Sequence, residues 1–291
     1  VKINRDVPTP YAVQIEPAEG CSLACSFCGI QSIRANGADA ELGVHGKNSA
    51  PYRFMDERTL AKFARESAEA GWNPRWEFAM HGEPTMHPRL ADLVAVVRDQ
   101  HPKGYIMITS NGSGLLKDAP TKIGELFNAG VNTLALDDYK HSGGWVDKIK
   151  GQLTREFMEK YAIKPYRYPR DGEGNPHQRH NKRKLVIIND ISDNSTGTHQ
   201  LTNQGGNSFS DRGASLAERC AKPFREFSIR WDGNVAICCD DWRGEYKIGN
   251  VNSSTPDQLW YSPRFEAARR KLYAKDRDFG PCKGCDVRTL R

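Results

Sequence analysis

The stretch Tyr11-Ala-Val-Gln-Ile-Glu16, followed by Gly20-Cys21-Ser-Leu-Ala-Cys25-Ser-Phe27-Cys28-Gly-Ile30, decides how the rest of the chain is read. Residues 11–16 alternate apolar and polar side chains, the period of a strand. A loop with three cysteines in C-x3-C-x2-C spacing follows almost at once. A strand that runs into a reactive loop is how a β/α barrel presents chemistry at its C-terminal rim. Thiolates are good iron ligands, and three of them hold three corners of a cubane and leave the fourth iron open. The competing reading is a zinc site, for which His45 is the nearest fourth ligand.

Outward from this loop, strands and helices alternate. Asp56 can cap a helix that carries Leu60, Phe63, Ala64 and Ala68 at helical spacing and stops near Gly71. Arg75-Trp-Glu-Phe-Ala-Met80 reads as a second strand and ends in His81-Gly82-Glu83-Pro84. Pro88 opens a helix with Leu90, Leu93, Val94 and Val97 on one face. A third strand, Tyr105-Ile-Met-Ile-Thr109, ends in Ser110-Asn111-Gly112, and a helix from about Thr121 to Ala129 follows. Val131-Asn-Thr-Leu-Ala-Leu136 is the fourth strand, residues 144–162 a helix, and Leu185-Val-Ile-Ile188 a fifth strand ending at Asn189. Such alternation, with polar motifs at the strand ends, predicts an α/β fold with a parallel sheet. Five strands are too few to close an eight-stranded barrel, and no sixth is visible before Cys220.

The triplet, with Phe27 just before its third cysteine, resembles the signature of the radical S-adenosylmethionine (radical SAM) family. The resemblance implies an open, partial β/α barrel, a TIM-like core of radical SAM type. It implies that Cys21, Cys25 and Cys28 hold a [4Fe-4S] cluster whose open iron binds S-adenosylmethionine (SAM). One electron then cleaves SAM to methionine and a 5'-deoxyadenosyl radical, which takes a substrate hydrogen atom. Gly82 and Glu83 fall where the family's G-G-E-P motif meets the SAM ammonium group, with His81 in place of the first Gly. Ser110 and Asn111 match its ribose-contacting segment. Asp137 is kept where many members read Ser-Leu-Asp, with Ala135 in place of the Ser, and could face SAM or act on the substrate. Asn189 is a further candidate SAM contact.

The last 72 residues hold five of the eight cysteines. Two short strands about Asp232-Gly233 read as a hairpin, Cys238 and Cys239 follow it, and Cys282-Lys-Gly-Cys285 is a knuckle. By spacing alone, one zinc with four thiolates fits these residues. The layout also resembles the auxiliary-cluster domain of radical SAM enzymes, of SPASM or shorter twitch type. That resemblance implies a small β-hairpin/α iron–sulfur domain with a second [4Fe-4S] cluster on Cys220, Cys238, Cys282 and Cys285. Cys238 is chosen over Cys239 because it directly follows the hairpin strand.

Residues 192–214 are rich in Ser, Thr, Asn, Gln and Gly and read as linking chain. The expected organisation is a core over 1–191, a linker over 192–219 and an auxiliary domain over 220–291. Residues 164–184 hold seven Lys or Arg with His177 and His180, and read as a solvated basic loop or an anion-binding arm. Net charge is +6 and the pI about 8.8, a mild excess. No run of eighteen apolar residues occurs, so no membrane helix is expected. Clustered C-x-x-C spacing without an export signal points to the reducing cytoplasm.

The resemblance implies a radical SAM oxidoreductase or maturase acting on a peptide or a sugar-like small molecule, supplied with electrons by a flavodoxin or ferredoxin. Peptide maturases of this family often carry an N-terminal recognition domain; some ten residues precede the first strand here, which counts against that branch unless the domain is a separate chain. An RNA- or nucleotide-modifying enzyme using the basic arm is the alternative, against which the small charge excess counts. The third reading is a non-enzymatic iron–sulfur carrier or zinc scaffold. The Glu83 and Asn111 motifs speak against it, since a carrier needs no SAM site.

Overall fold

A computed structural model describes residues 7–23, 25, 27–30, 52–139, 143–161, 165–167, 184–189, 202–208 and 216–289. His45, and residues 168–183 of the basic stretch, lie outside the described residues.

Ala12–Ile15 forms β1, and its two neighbours in the sheet both run parallel to it. On one side lies β4, Arg75–Phe78, followed outward by β5, Ile106–Ser110, and β6, Thr133–Asp138. Next come β8, Lys184–Asn189, and, at the edge, β7, Pro165–Arg167. On the other side of β1 lies β9, Glu226–Ile229, with β10, Asn234–Ala236, and β11, Gly249–Asn250, beyond it. A separate two-stranded ladder pairs β2, Ala18–Glu19, with β3, Arg53–Phe54. Among the described residues the nine-stranded sheet does not close: β7 and β11 are its ends.

The five strands expected from the sequence are present. The sixth, β7, lies inside the stretch read as a basic loop. Pro165 opens it, which an edge strand tolerates because a strand's first residue there needs no donor on its outer side. The C-terminal hairpin does not stand apart, since β9 hydrogen-bonds β1 from Ala12↔Glu226 to Ile15↔Ile229 and continues the core sheet.

Helix boundaries follow their caps. Asp56 accepts from the Arg58 amide at the start of α1, Glu57–Glu69. α2 spans Leu90–Gln100. Asp118 caps α3, Ala119–Ala129, which ends at Gly130 in the left-handed region. The single helix expected over 144–162 is two: α4, Trp145–Gln152, and α5, Arg155–Lys160. Thr154 sits between them with extended backbone, and its side chain accepts from the Phe157 amide, so it starts a new helix. In the C-terminal region α6, Lys222–Arg225, precedes β9. Then come α7, Pro256–Trp260, and α8, Pro263–Tyr273, with a 3-10 turn at Gly280–Cys282.

The face of the sheet that carries Val13, Ile15, Trp76, Phe78, Ile106, Ile108, Leu134 and Leu136 packs under the helices as one core. Phe227 and Ile229 of β9 join it, and Phe227 stacks on Phe63 with ring centroids 5.3 Å apart. Trp72 and Trp260 meet Phe227 edge-on or tilted. The aromatic layer thus runs from α1 across the sheet to α7, burying core and C-terminal residues together. The opposite face is left polar, with Gln14, Glu77, Ser228 and Glu226 on adjacent strands.

Candidate active site

The C-terminal ends of β1, β4 and β5 bring the loops with the sequence motifs together. The chain after β4 makes a tight passage: Met80 has a left-handed φ of 75°, rare for a long side chain. Gly82 follows, and a Cβ there would stand 1.8 Å from the Ala18 carbonyl oxygen. The Glu83 amide donates to the Gly20 carbonyl at 2.8 Å. Only a glycine lets the β4 loop lie this close to the chain that leads into the cysteines. Gly114 allows an equally close approach in the β5 loop, with a Cβ position 1.9 Å from the Thr85 carbonyl oxygen.

Glu83 is buried, and its carboxylate gathers the next loop. Oε1 accepts from the Thr85 amide at 2.9 Å and from the Ser110 hydroxyl at 2.5 Å; Oε2 accepts from the Asn111 amide at 2.7 Å. Burial pushes this carboxyl up, and the hydrogen bonds from Ser110, Thr85 and Asn111 oppose that. Asn111 in turn donates from Nδ2 to the Cys21 sulfur at 3.3 Å and accepts the Ser113 amide at Oδ1, 2.9 Å. Ser22 donates to the Ser113 hydroxyl at 2.7 Å. Gly82, Glu83, Ser110 and Asn111 therefore form one connected unit with the first cysteine.

Cys25 and Phe27 are buried with Leu23, and Cys21 and Cys28 pack against them. The Cys28 amide donates to the Cys25 carbonyl at 3.1 Å, closing a turn that keeps the second and third thiols near each other. Burial, together with Glu83 and the other two thiols, pushes Cys21 up to about 12. Cys25 is buried and Cys21 and Cys28 half-buried, and their thiolates would repel one another unless an iron cluster, which binds cysteine as thiolate, held them. Phe27 meets Tyr139 at 5.6 Å, and Tyr139 donates to Asp137 Oδ2 at 3.1 Å, so Asp137 stands at the far side of the same loop. In the register of β6 and β8, Asn189 lies opposite Asp138.

The other cysteines meet in a second place. Cys220, Cys238, Cys282 and Cys285 line one cavity of about 20 Å³, with Ile237, Leu272 and Val287 as apolar walls and Lys222 and Arg277 as cations. Burial pushes Cys238, Cys282 and Cys285 up. Four thiols is the number that would hold every corner of a cubane. Cys239 is absent from this lining. Its sulfur takes a hydrogen bond from Lys222 Nζ at 3.1 Å and lies 3.8 Å from Glu226 Oε2. Lys222 also pairs with Asp240 at 2.6 Å.

A turn at residues 202–208 joins the two cysteine regions. Gln204 Oε1 accepts from the Gly29 amide at 2.8 Å, and Asn203 donates to the Gly284 carbonyl at 2.6 Å. This turn lies within the stretch expected as linker, yet Asn203, Asn207 and Ser208 are buried. Its polar composition serves hydrogen bonds to both sides.

Family models match this layout twice: the radical SAM superfamily over residues 15–137, and an iron–sulfur cluster-binding domain, SPASM, over residues 220–286. The chain belongs to the radical SAM superfamily. Its cofactors are SAM and iron–sulfur clusters, and the open sheet is the partial barrel of that superfamily. Among solved structures, BtrN in complex with AdoMet and 2-DOIA superimposes with a TM-score of 0.66 at 18% identity, over 96% of this chain and 93% of that one. Native anSMEcpe with bound AdoMet gives 0.53 at 15% identity, over 91% and 84%. At these identities the likeness is one of fold. No curated protein sequence matches.

Sequence reasoning about this radical SAM protein misses a buried charge cluster beside the site. Glu16, just past β1, accepts from the Trp231 amide at 3.1 Å, and its Oε1 meets His81 Nδ1 at 2.9 Å. Arg230, just past β9, reaches Glu16 at 3.5 Å and Glu19 at 3.3 Å. His81 Nε2 meets the Cys239 carbonyl at 2.7 Å and its ring packs 4.4 Å from Trp242. The residue that departs from the family's first Gly thus ties the β4 loop to the C-terminal cysteines. The usable signal is positional: Glu16, His81 and Arg230 each follow the end of a strand, and β9, β1 and β4 are adjacent.

Proposed function

We propose that this radical SAM enzyme reductively cleaves SAM and abstracts a hydrogen atom from a peptide or sugar-like small molecule, for a net oxidation or maturation. The observation that carries the reading is the separation of the cysteines into a triplet packed in one small cluster, tied to Glu83 and Asn111, and a quartet around its own cavity. A triplet leaves one cubane corner for SAM, and a quartet leaves none.

In this reading Cys21, Cys25 and Cys28 hold the first [4Fe-4S] cluster, and Cys220, Cys238, Cys282 and Cys285 the second, within a functional unit at 220–291. When bound, the first supplies the electron that cleaves SAM, and the second is a further one-electron centre. Asn111 holds the Cys21 sulfur through its side-chain amide, which tunes such a site. Glu83 fixes Ser110 and Asn111 at the β5 end, and Oε2, which takes one amide, keeps capacity for the SAM ammonium group. Phe27 shields the loop, and Asp137 and Asn189, at the β6 and β8 ends, are the remaining candidate contacts. AdoMet bound in BtrN and anSMEcpe supports the SAM assignment. A flavodoxin or ferredoxin in the cytoplasm would supply electrons.

The test is product analysis under reducing, anaerobic conditions. The protein is expected to form 5'-deoxyadenosine slowly without substrate. Cys28→Ala should abolish it, and Glu83→Ala should weaken SAM binding about tenfold or more, the worth of a hydrogen bond to a charged group. SAM consumption that yields methyl transfer alone would contradict the reading.

A further inference from the structure

A second cavity lies where the C-terminal hairpin joins the ladder of β2 and β3. It has a volume of about 190 Å³ and is lined by Glu19, Arg53, Arg230, Trp231, Arg243 and Lys247, among others. Its charges are unequally used. Arg230 is taken up by Glu16, Glu19 and the Trp242 carbonyl. Asp232 is occupied by its own turn, accepting from the Asn234 amide at 3.0 Å. Arg53 lies over the Trp231 ring, 5.2 Å from its centroid. Arg243 and Lys247 have no ion-pair partner among the described residues, and Arg243 Nε is a buried donor with no acceptor among them.

One acceptor in the same lining is also unmatched. Glu19 is 1% exposed; its Oε2 takes the Trp231 indole N–H at 2.5 Å, but its Oε1 has no hydrogen-bond partner among the described residues. Unmatched buried donors and acceptors in one lined space mark a place where something polar is missing. Arg53, Arg243 and Lys247, two guanidinium groups and an ammonium, suit an oxyanion. The lone Glu19 oxygen suits a neighbouring O–H or N–H on the same ligand.

We propose that this cavity binds an oxyanion, a phosphate or carboxylate group, carried by a small polar molecule. Glu19 stands two residues before Cys21, at most about 7 Å of extended chain. A ligand seated here lies beside the cysteine loop. On the functional reading above, and resting on it for this step alone, the substrate class is an anionic small molecule.

The experiment uses the whole chain at low ionic strength, where screening is weak. Binding of inorganic phosphate is followed by ³¹P NMR and of labelled acetate by ¹³C NMR, for wild type and for the double variant Arg243→Gln/Lys247→Gln. Arg243 is half-buried and Lys247 exposed, both outside the packed core. Wild type is expected to bind at least one anion saturably, and the tighter of the two names the group. The double variant should bind it at least tenfold more weakly, with SAM affinity and 5'-deoxyadenosine formation unchanged. Failure of wild type to bind either anion, or equal binding by the variant, overturns the site. Anion binding without SAM cleavage would sink the functional reading and leave the site standing.

Discussion

Replacing Cys238 with Ala is expected to lower iron from about eight to about four per chain after anaerobic reconstitution, whereas Cys239→Ala should keep about eight, since each cubane carries four irons. The two residues lie in the bend and turn that follow β10, and their side chains part there. Here Cys238 lines the cavity with Cys220, Cys282 and Cys285, and Cys239 turns toward Lys222 and Glu226. A thiol already occupied by an ammonium group 3.1 Å away is poorly placed to serve as a fourth ligand. Equal loss in both variants would mean that the cluster depends on both thiols and not on Cys238 alone. Loss in Cys239→Ala alone would place the cluster on the Lys222 and Glu226 side of this turn.

Arg230→Met is expected to destabilise the fold by about 3–5 kcal/mol near neutral pH, because it leaves Glu16 as a buried charge without its cation. Glu16 and Glu19 are both essentially inaccessible, and the guanidinium lies 3.3–3.5 Å from each. Burial and the neighbouring Glu16 push Glu19 up to about 7, so Glu16 carries most of the effect. Burial alone would raise the Glu16 carboxyl too; Arg230 and His81 outweigh it and hold the group below its usual 4.5. A carboxyl depressed in the folded state contributes stability above its unfolded value, and that contribution is lost as pH falls through the folded one. The gap between wild type and variant should thus be widest above about pH 4.5 and narrow on acidification. Denaturant midpoints across pH measure it, and a gap that is small or independent of pH would contradict the assignment of Arg230 as the counter-charge.

The cysteine groups and the Glu16–Arg230 cluster differ in how far they are legible in the sequence. The cysteine groups, the strands β1, β4, β5, β6 and β8, and the helix signals at Asp56 and Gly71 are local. Ligand spacing, period two and a left-handed glycine each act within a few residues. The charge cluster is non-local. Glu16 reads as the polar end of an alternating strand, and nothing near it announces Arg230 more than two hundred residues later. Only the parallel pairing of β9 with β1 brings them together. The same pairing explains why the C-terminal hairpin looks separable in sequence: Asp232-Gly233 identifies the turn but not the partner. Gly82 is legible as part of a motif, whereas its physical reason, a carbonyl 1.8 Å from where a Cβ would stand, needs the packed loop. Composition reads residues 202–208 as linking chain. Their Asn and Gln side chains are spent on Gly29 and Gly284, which composition cannot distinguish from solvation.

The most direct measurement of two separate cluster sites is metal and sulfide content after anaerobic reconstitution, for wild type and for the triple variant Cys21→Ala/Cys25→Ala/Cys28→Ala. The expected result is about eight irons and eight sulfides per wild-type chain and about four of each in the triple variant, which should also form no 5'-deoxyadenosine. Zinc in the C-terminal site of anaerobically purified protein, or iron that vanishes entirely with the triplet, would contradict it.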